Sequence, residues 1–248
     1  MLRNKLIDKI SSLLSFLPDK HYSILTFLIR QRRFPNLKNP TLFNDKLLYL
    51  KLTDRNPLYK QLVDKYEVRN YVKNIIGEQY LIPLIGVYRH PSEVDFDKLP
   101  NKFVIKSTSG SGGQNVVICK NKDELDWSNI SGKIEKWLKY DTYKRTREWP
   151  YKDLPSRIVI EEYIEDSQRQ TNDYKFWCFN GEPFCVQVHL NRFKNHQKGI
   201  FDLNFNNILF KHGNVQDLDH KIKKPKNYET MIKIAKKLSQ QLPFVRVD

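Results

Sequence analysis

Cysteine, glycine, histidine and acid are all scarce in this chain of 248 residues, and each scarcity narrows what the protein does. The three cysteines, Cys119, Cys178 and Cys185, lack the paired short spacing of a zinc site and lie among strand-like apolar residues. Buried thiols in a reducing, cytoplasmic setting are therefore expected, rather than disulfides or a metal centre. Six scattered histidines offer no catalytic cluster. No run approaches the roughly 18 apolar residues of a membrane span, and there is no internal repeat or low-complexity linker. Carboxylates are outnumbered, 28 against 43 Lys and Arg, for a formal net charge of +15. Such a chain attracts polyanions: nucleic acid, an anionic membrane surface, or phosphorylated and acidic substrates. The cations spread from Lys5 to Arg246 instead of gathering in a tail, which argues against nucleic acid. Lys139 to Arg147 nonetheless interleaves Tyr140 and Tyr143 with cations, as a single-strand binder does. A solvated basic surface explains the charge equally well.

With 40% hydrophobic and 12% aromatic residues the chain can bury a core of one or two lobes. Leu2, Leu6, Ile10, Leu13, Leu14 and Leu17 recur at helical spacing before Pro18, with Arg3, Lys5 and Lys9 between them. This predicts an amphipathic helix, packed on the protein's own core or lying against an anionic membrane; Asp8-Lys9 interrupts the apolar run that a signal peptide needs. Helical patterning continues to Val72, with Thr41 or Asn44 as a cap for the helix carrying Leu47, Leu48, Leu50 and Leu52, and another helix from Asp64 closing around Gly77. Tyr80 to Tyr88 contains a short strand, Trp127 to Leu138 a helix, and Arg157 to Ile164 a buried strand running into acid. Asn180-Gly181 between two alternating segments predicts a tight hairpin, because both residues tolerate positive φ. Asn227 precedes a helix with Met231, Ile234, Ala235, Leu238 and Leu242 on one face. Phe244 to Asp248 then opens a strand at which the chain stops, which reads as an interrupted sequence.

Three of the nine glycines fall in Phe103-Val104-Ile105-Lys106-Ser107-Thr108-Ser109-Gly110-Ser111-Gly112-Gly113, directly after a strand that ends in a lysine. Glycines let backbone N–H groups crowd an anion, and a lysine at a fixed position adds a point charge. A Walker A loop needs its lysine after the glycines, and a dinucleotide fingerprint needs glycine at 115, where Asn115 stands, followed by a helix; Val116 to Cys119 reads as a strand. What remains is a strand–lysine–glycine turn–strand hairpin that folds over phosphates as a lid, with ATP or another nucleotide as ligand. A glycine-rich hairpin without a ligand is the competing reading.

Asn39 to Leu47, Leu62 to Arg69, Phe103 to Gly113, Arg147 to Lys152, Val159 to Ile164, Asp173 to Phe176 and Val245 to Asp248, taken in order, resemble the ATP-grasp superfamily, specifically its TupA-like branch of bacterial surface-polysaccharide biosynthesis. The resemblance implies an α+β fold of two lobes gripping ATP between them, after an N-terminal helical region: residues 1–60 helical, 61–160 the lobe with the glycine loop, and 161–248 a second, incomplete lobe. It places Lys65 and Lys106 on the phosphates under Gly110, Ser111, Gly112 and Gly113, and Glu161, Glu162, Tyr163 and Ile164 at the adenine. Asp173 falls at the ribose, Lys175 and Arg192 at phosphates or an acidic substrate with Arg192 as the catalytic candidate, and Asp248 at Mg2+. The family's remaining metal carboxylates have no counterpart before the chain ends.

The activity implied is ATP-dependent ligation of a carboxylate to an amine through an acyl-phosphate, on an acidic saccharide or amino-acid substrate, in the cytoplasm or at the inner membrane face. A glycosyltransferase of the same pathway is the second reading, although no Asp-x-Asp metal motif is present. A non-catalytic basic module for nucleic acid or membrane is the third.

Overall fold

Alternation of apolar and polar residues builds the first sheet. In the computed structural model, which describes residues 14, 16–110, 115–164, 172–190, 196–208, 216–218 and 222–248, Phe103, Ile105 and Ser107 of strand β2 (Phe103–Ser107) point into a core while Val104 and Lys106 face the other way. Strands β1 (Leu84–Tyr88), β2, β3 (Val116–Cys119) and β4 (Ile158–Glu162) form an antiparallel sheet in the order β1-β4-β2-β3. Strand β4 is inside the sheet and its first four residues are buried, as its continuous apolar run demands. One face packs Phe103, Ile105, Ile158 and Ile160 against Ile130 and Ile134 of a helix spanning Trp127–Leu138. Asp126 caps that helix through Asn129 N.

The same unit, residues 1–71 and 83–163, includes helices α1 (Asp19–Gln31), α2 (Phe43–Thr53) and α3 (Leu58–Val63) and the start of α4 (Val68–Ile76). The Trp127–Leu138 helix is α5, and α6 covers Thr142–Thr146. Neither Thr41 nor Asn44 caps α2. Leu42 occupies the cap position without a side-chain bond, and Asn44 Nδ2 instead donates to Gln31 Oε1 at 2.9 Å, tying α2 to α1. Helix α4 starts at Val68, later than Asp64, because the Asp64 side chain first closes a turn; Gly77, at φ +102°, follows its end. The amphipathic pattern before Pro18 lies largely outside the described residues. The aromatics of the Lys139–Arg147 segment pack on its own cations: Arg145 over Tyr140, and Arg147 over Tyr143 and Tyr22.

A second unit, residues 72–82 and 164–248, is built on strands β5 (Asp173–Phe179), β6 (Glu182–Leu190), β7 (Gln197–Phe201), β8 (Asn207–Ile208), β9 (Gln216–Asp217) and β10 (Phe244–Val247), in the order β10-β5-β6-β7-β8, with β9 parallel to β7. Asn180 and Gly181, at φ +50° and +81°, make the β5–β6 hairpin turn. Helix α7 (Tyr228–Ser239) lays Tyr228 and Ala235 on a core of Phe176, Cys178, Val186, Val188 and Phe201. Asn227 stands at its cap position, yet its side chain makes no capping bond. Cys119, Cys178 and Cys185 are free and buried. No helix among the described residues is long and apolar enough to cross a membrane.

Candidate functional site

A buried carboxylate organises the approach to the glycine loop. Asp64 is fully buried, and its Oδ1 accepts from the backbone N–H groups of Tyr66 (2.8 Å) and Glu67 (3.0 Å), an Asx turn. Arg157 Nη2 donates to Asp64 Oδ2 (3.1 Å) and to Glu67 Oε1 (2.8 Å), so the turn is anchored to the residue preceding β4.

This holds Lys65 against the root of the loop. Its backbone N–H donates to Thr108 O at 3.2 Å, and its Nζ donates to Ser107 O (2.9 Å) and Gly110 O (2.8 Å), with Thr108 O at a long 3.5 Å. An ammonium has three protons, so two are committed to short bonds and the third is only loosely held. Burial, then the neighbouring Lys106 charge, push Lys65 down to about 8, against the opposite pull of Asp64 and Glu161. Gly110 has φ +145°; a Cβ there would meet Asn115 Nδ2 at 3.2 Å in a conformation L-residues rarely adopt. Ser111, Gly112 and Gly113 lie outside the described residues.

Strand alternation delivers the second lysine. Lys106 leaves β2 on the face away from the Phe103–Ile105 core, and the β2–β4 register puts Val104 opposite Glu161, so Lys106 and Glu161 are diagonal neighbours on one face. Lys106 Nζ donates to Glu161 Oε2 at 2.6 Å and Arg69 Nη1 to Oε1 at 3.0 Å, with Glu161 only 6% exposed. A carboxylate this buried persists because both oxygens are matched by cations. Lys65, Arg69 and Lys106 thus outnumber Glu161 beside Gly110, an arrangement that attracts a polyanion.

The rest of the acidic segment divides. Glu162 is exposed, with its backbone N–H on Pro83 O at 3.0 Å; Lys120 Nζ lies 5.6 Å from the centre of the Tyr163 ring; Ile164 is 51% exposed.

The second unit gathers the remaining described candidates. Lys175, 5% exposed, donates to Asp173 Oδ1 (2.8 Å) on its own strand and to Asp248 Oδ2 (2.6 Å), and Arg246 Nε donates to Asp248 Oδ1 (2.7 Å). The β10–β5 register, with Val247 opposite Phe176, brings Asp248 alongside Lys175. Burial acts to raise the Asp248 carboxyl, but hydrogen bonds and charge from Arg246 and Lys175 outweigh it and hold the group below its ordinary value. Among the described residues no group of three or more His, Cys, Asp or Glu is placed to hold a metal. Arg192 lies outside the described residues.

Sequence reasoning overlooked Asp64, Arg69 and Arg157. Arg69 follows Lys65 by four residues, the spacing that places two side chains on one face of a helical turn, and that signal was readable. Arg157 stands 93 residues from Asp64 and left none.

The family model described as TupA-like ATP-grasp matches residues 45–248. No curated protein matches. Among solved structures, the ATP-grasp ligase PsnB complexed with a minimal precursor, Mg and ADP aligns at 9% identity over 82% of this chain and 52% of its own, with a TM-score of 0.38. PsnB with the minimal precursor gives 10% identity, 82% and 53%, and 0.35. The biotin carboxylase domain of a thermophilic 2-oxoglutarate carboxylase, bound to ADP without magnesium, gives 13% identity, 96% and 46%, and 0.30. The chain spans about half the length of these proteins, and overlaps this loose transfer neither site nor ligand. The family match, running from Asp45 to Asp248 and taking in Lys65, the glycine loop, Glu161 and the Lys175–Asp248 pair, establishes that this chain belongs to the TupA-like ATP-grasp family.

Proposed function

We propose that the chain is an ATP-dependent carboxylate–amine ligase-like enzyme that acts on an acidic saccharide or amino acid in surface-polysaccharide biosynthesis. The observation that supports this most directly is the meeting of Lys65 and Gly110 at the loop root, with Lys106 and Arg69 sharing Glu161 beside them.

In this reading Lys65 and Lys106 balance the negative charge of the ATP phosphates, and the glycine loop, Gly110 to Gly113 with Ser111, covers them with backbone N–H groups and keeps water out. Arrival of the phosphates draws Lys106 off Glu161, which stays paired with Arg69. Glu161 to Ile164 receive the adenine and Asp173 the ribose. Lys175 and Arg192 serve the phosphates or the acidic substrate, Arg192 by countering charge at the reacting carboxylate. A substrate carboxylate oxygen attacks the γ-phosphorus, the bond to the β–γ bridging oxygen breaks, and ADP leaves. An amine nitrogen then attacks the acyl carbon, the C–O bond to phosphate breaks, phosphate departs, and the nitrogen loses a proton.

Mg2+ fits Asp248 in its chemistry: this is a hard carboxylate held ionised by its neighbours, with the Asp173 carboxylate on the same Lys175, and Mg2+ bound with nucleotide needs only one or two protein carboxylates. When bound it supplies further neutralisation of phosphate charge.

ADP with Mg2+ should raise the melting temperature of the chain, and Lys106→Met should abolish the rise; absence of any shift in the parent chain rejects nucleotide binding. Hydroxylamine trapping during turnover with candidate acids tests the acyl-phosphate: a hydroxamate is expected, and ADP release without one rejects it.

A further inference from the structure

Away from Glu161, the first unit contains a cavity of about 600 Å3 in the size range of small-molecule sites. Its walls include Arg89, Lys139 and Arg157 against the single carboxylate of Glu135, with His90 and Ser156 beside them. Arg157 is a structural member of the wall. Its Nη2 is committed to Asp64 and Glu67, while its Nε is buried with no hydrogen-bond partner. With Arg157 held by Asp64 and Glu67, the cations left to an occupant of the cavity are Arg89 and Lys139 against Glu135, a pair suited to an oxyanion, since charge-assisted bonds from Arg and Lys to phosphate or carboxylate are the strong ones.

The wall is also wired to the glycine loop. Ser156 Oγ lies 3.0 Å from Ser109 Oγ, Arg157 N donates to Thr108 Oγ1 at 3.1 Å, and Thr108 N donates to Arg157 O at 2.8 Å. Whatever settles on Arg157 therefore acts two residues from Gly110.

We infer that this cavity binds a phosphate- or carboxylate-bearing small molecule through Arg89 and Lys139, at a site separate from Lys65 and Lys106, and that its occupant, lying against Ser156 and Arg157, steadies the root of the glycine loop. The inference does not depend on nucleotide binding.

The test is calorimetric titration of the full chain with inorganic phosphate in one arm and malonate in the other. The arm that saturates identifies the oxyanion class. Arg89→Ala with Lys139→Ala should weaken binding about tenfold or more, and Glu135→Gln should tighten it. Both substituted cations are surface residues, and an unchanged melting temperature shows that the fold is kept. Lys106→Met should leave the affinity unchanged. Hydrogen exchange at the Thr108 and Ser109 amides should slow when the ligand is bound. No saturable binding at about 10 mM of either anion, far weaker than functional small-molecule sites, overturns the proposal. So does an unchanged affinity in the double variant, or loss of binding on Lys106→Met, which would put the anion at the glycine loop instead.

Discussion

Lys65 should take up a proton when nucleotide binds. In the free chain its ammonium sits near pKa 8, against the ordinary lysine value of 10.5, because burial and the Lys106 charge oppose the charged form. Phosphates placed between the two lysines replace that repulsion with attraction and return Lys65 toward its ordinary value. At pH 8 the free residue is about half protonated and the bound one fully so, an uptake of about half a proton per ADP, falling to near zero at pH 6.5. Above pH 8 the affinity should fall by up to about tenfold per pH unit, until the bound-state pKa is reached. The uptake is the slope of calorimetric binding enthalpy against buffer ionisation enthalpy, measured at pH 8 in Tris and HEPES. Lys65→Arg should bind without uptake, since arginine does not deprotonate in this range. Binding with no uptake in the parent chain, or uptake that survives in Lys65→Arg, refutes the assignment. The same depressed pKa carries a sign for stability. Between about 8 and 10.5 the unfolded chain holds more protons at this position than the folded one, so the Lys65 contribution to stability rises with pH across that window and is least favourable below it.

Other positions test the framework around it. Glu161→Gln removes the carboxylate between Lys106 and Arg69, both partly buried, and should cost about 2–3 kcal/mol in urea unfolding, reduced from the fully buried case by the solvent that still reaches Lys106. A loss under about 0.5 kcal/mol, the level of an exposed pair, would show that the cluster contributes little to the fold. Gly181→Ala combines φ +81° with a Cβ 3.0 Å from the Gln240 Cα and 3.1 Å from its carbonyl oxygen, so a loss of about 2–3 kcal/mol is expected by the same measurement. Cys185, pushed up to about 11 by burial and then by Cys178, should resist a disulfide reagent in the native chain at pH 8, together with Cys119 and Cys178; all three should react once urea unfolds the protein, and rapid native labelling would contradict their burial.

Much of the secondary structure was legible because its signals are local. Asn180-Gly181 named the hairpin through two residues that accept positive φ, and the apolar spacing of Trp127 to Leu138 delivered a helix with those bounds. Caps were read less well. Asn44 and Asn227 are the right residue type next to a helix start, but whether an amide turns inward to the backbone or outward to Gln31 depends on what the chain brings nearby. The glycine loop was conspicuous, and Lys106 with it, since strand period and glycine composition need no tertiary information.

Residue order alone determined the family pattern, the surplus of positive charge and the two lysines at 65 and 106, because composition and short-range periodicity are properties of the chain. The charge state and partners of those lysines were decided by tertiary structure. Lys65 owes its depressed pKa to burial and to a lysine more than 40 residues away, Lys106 is held by a carboxylate 55 residues on, and Asp64 is tethered by Arg157 across 93. Electrostatic interaction follows distance in space and local dielectric rather than separation along the chain, so these pairings exist only once the sheet has closed.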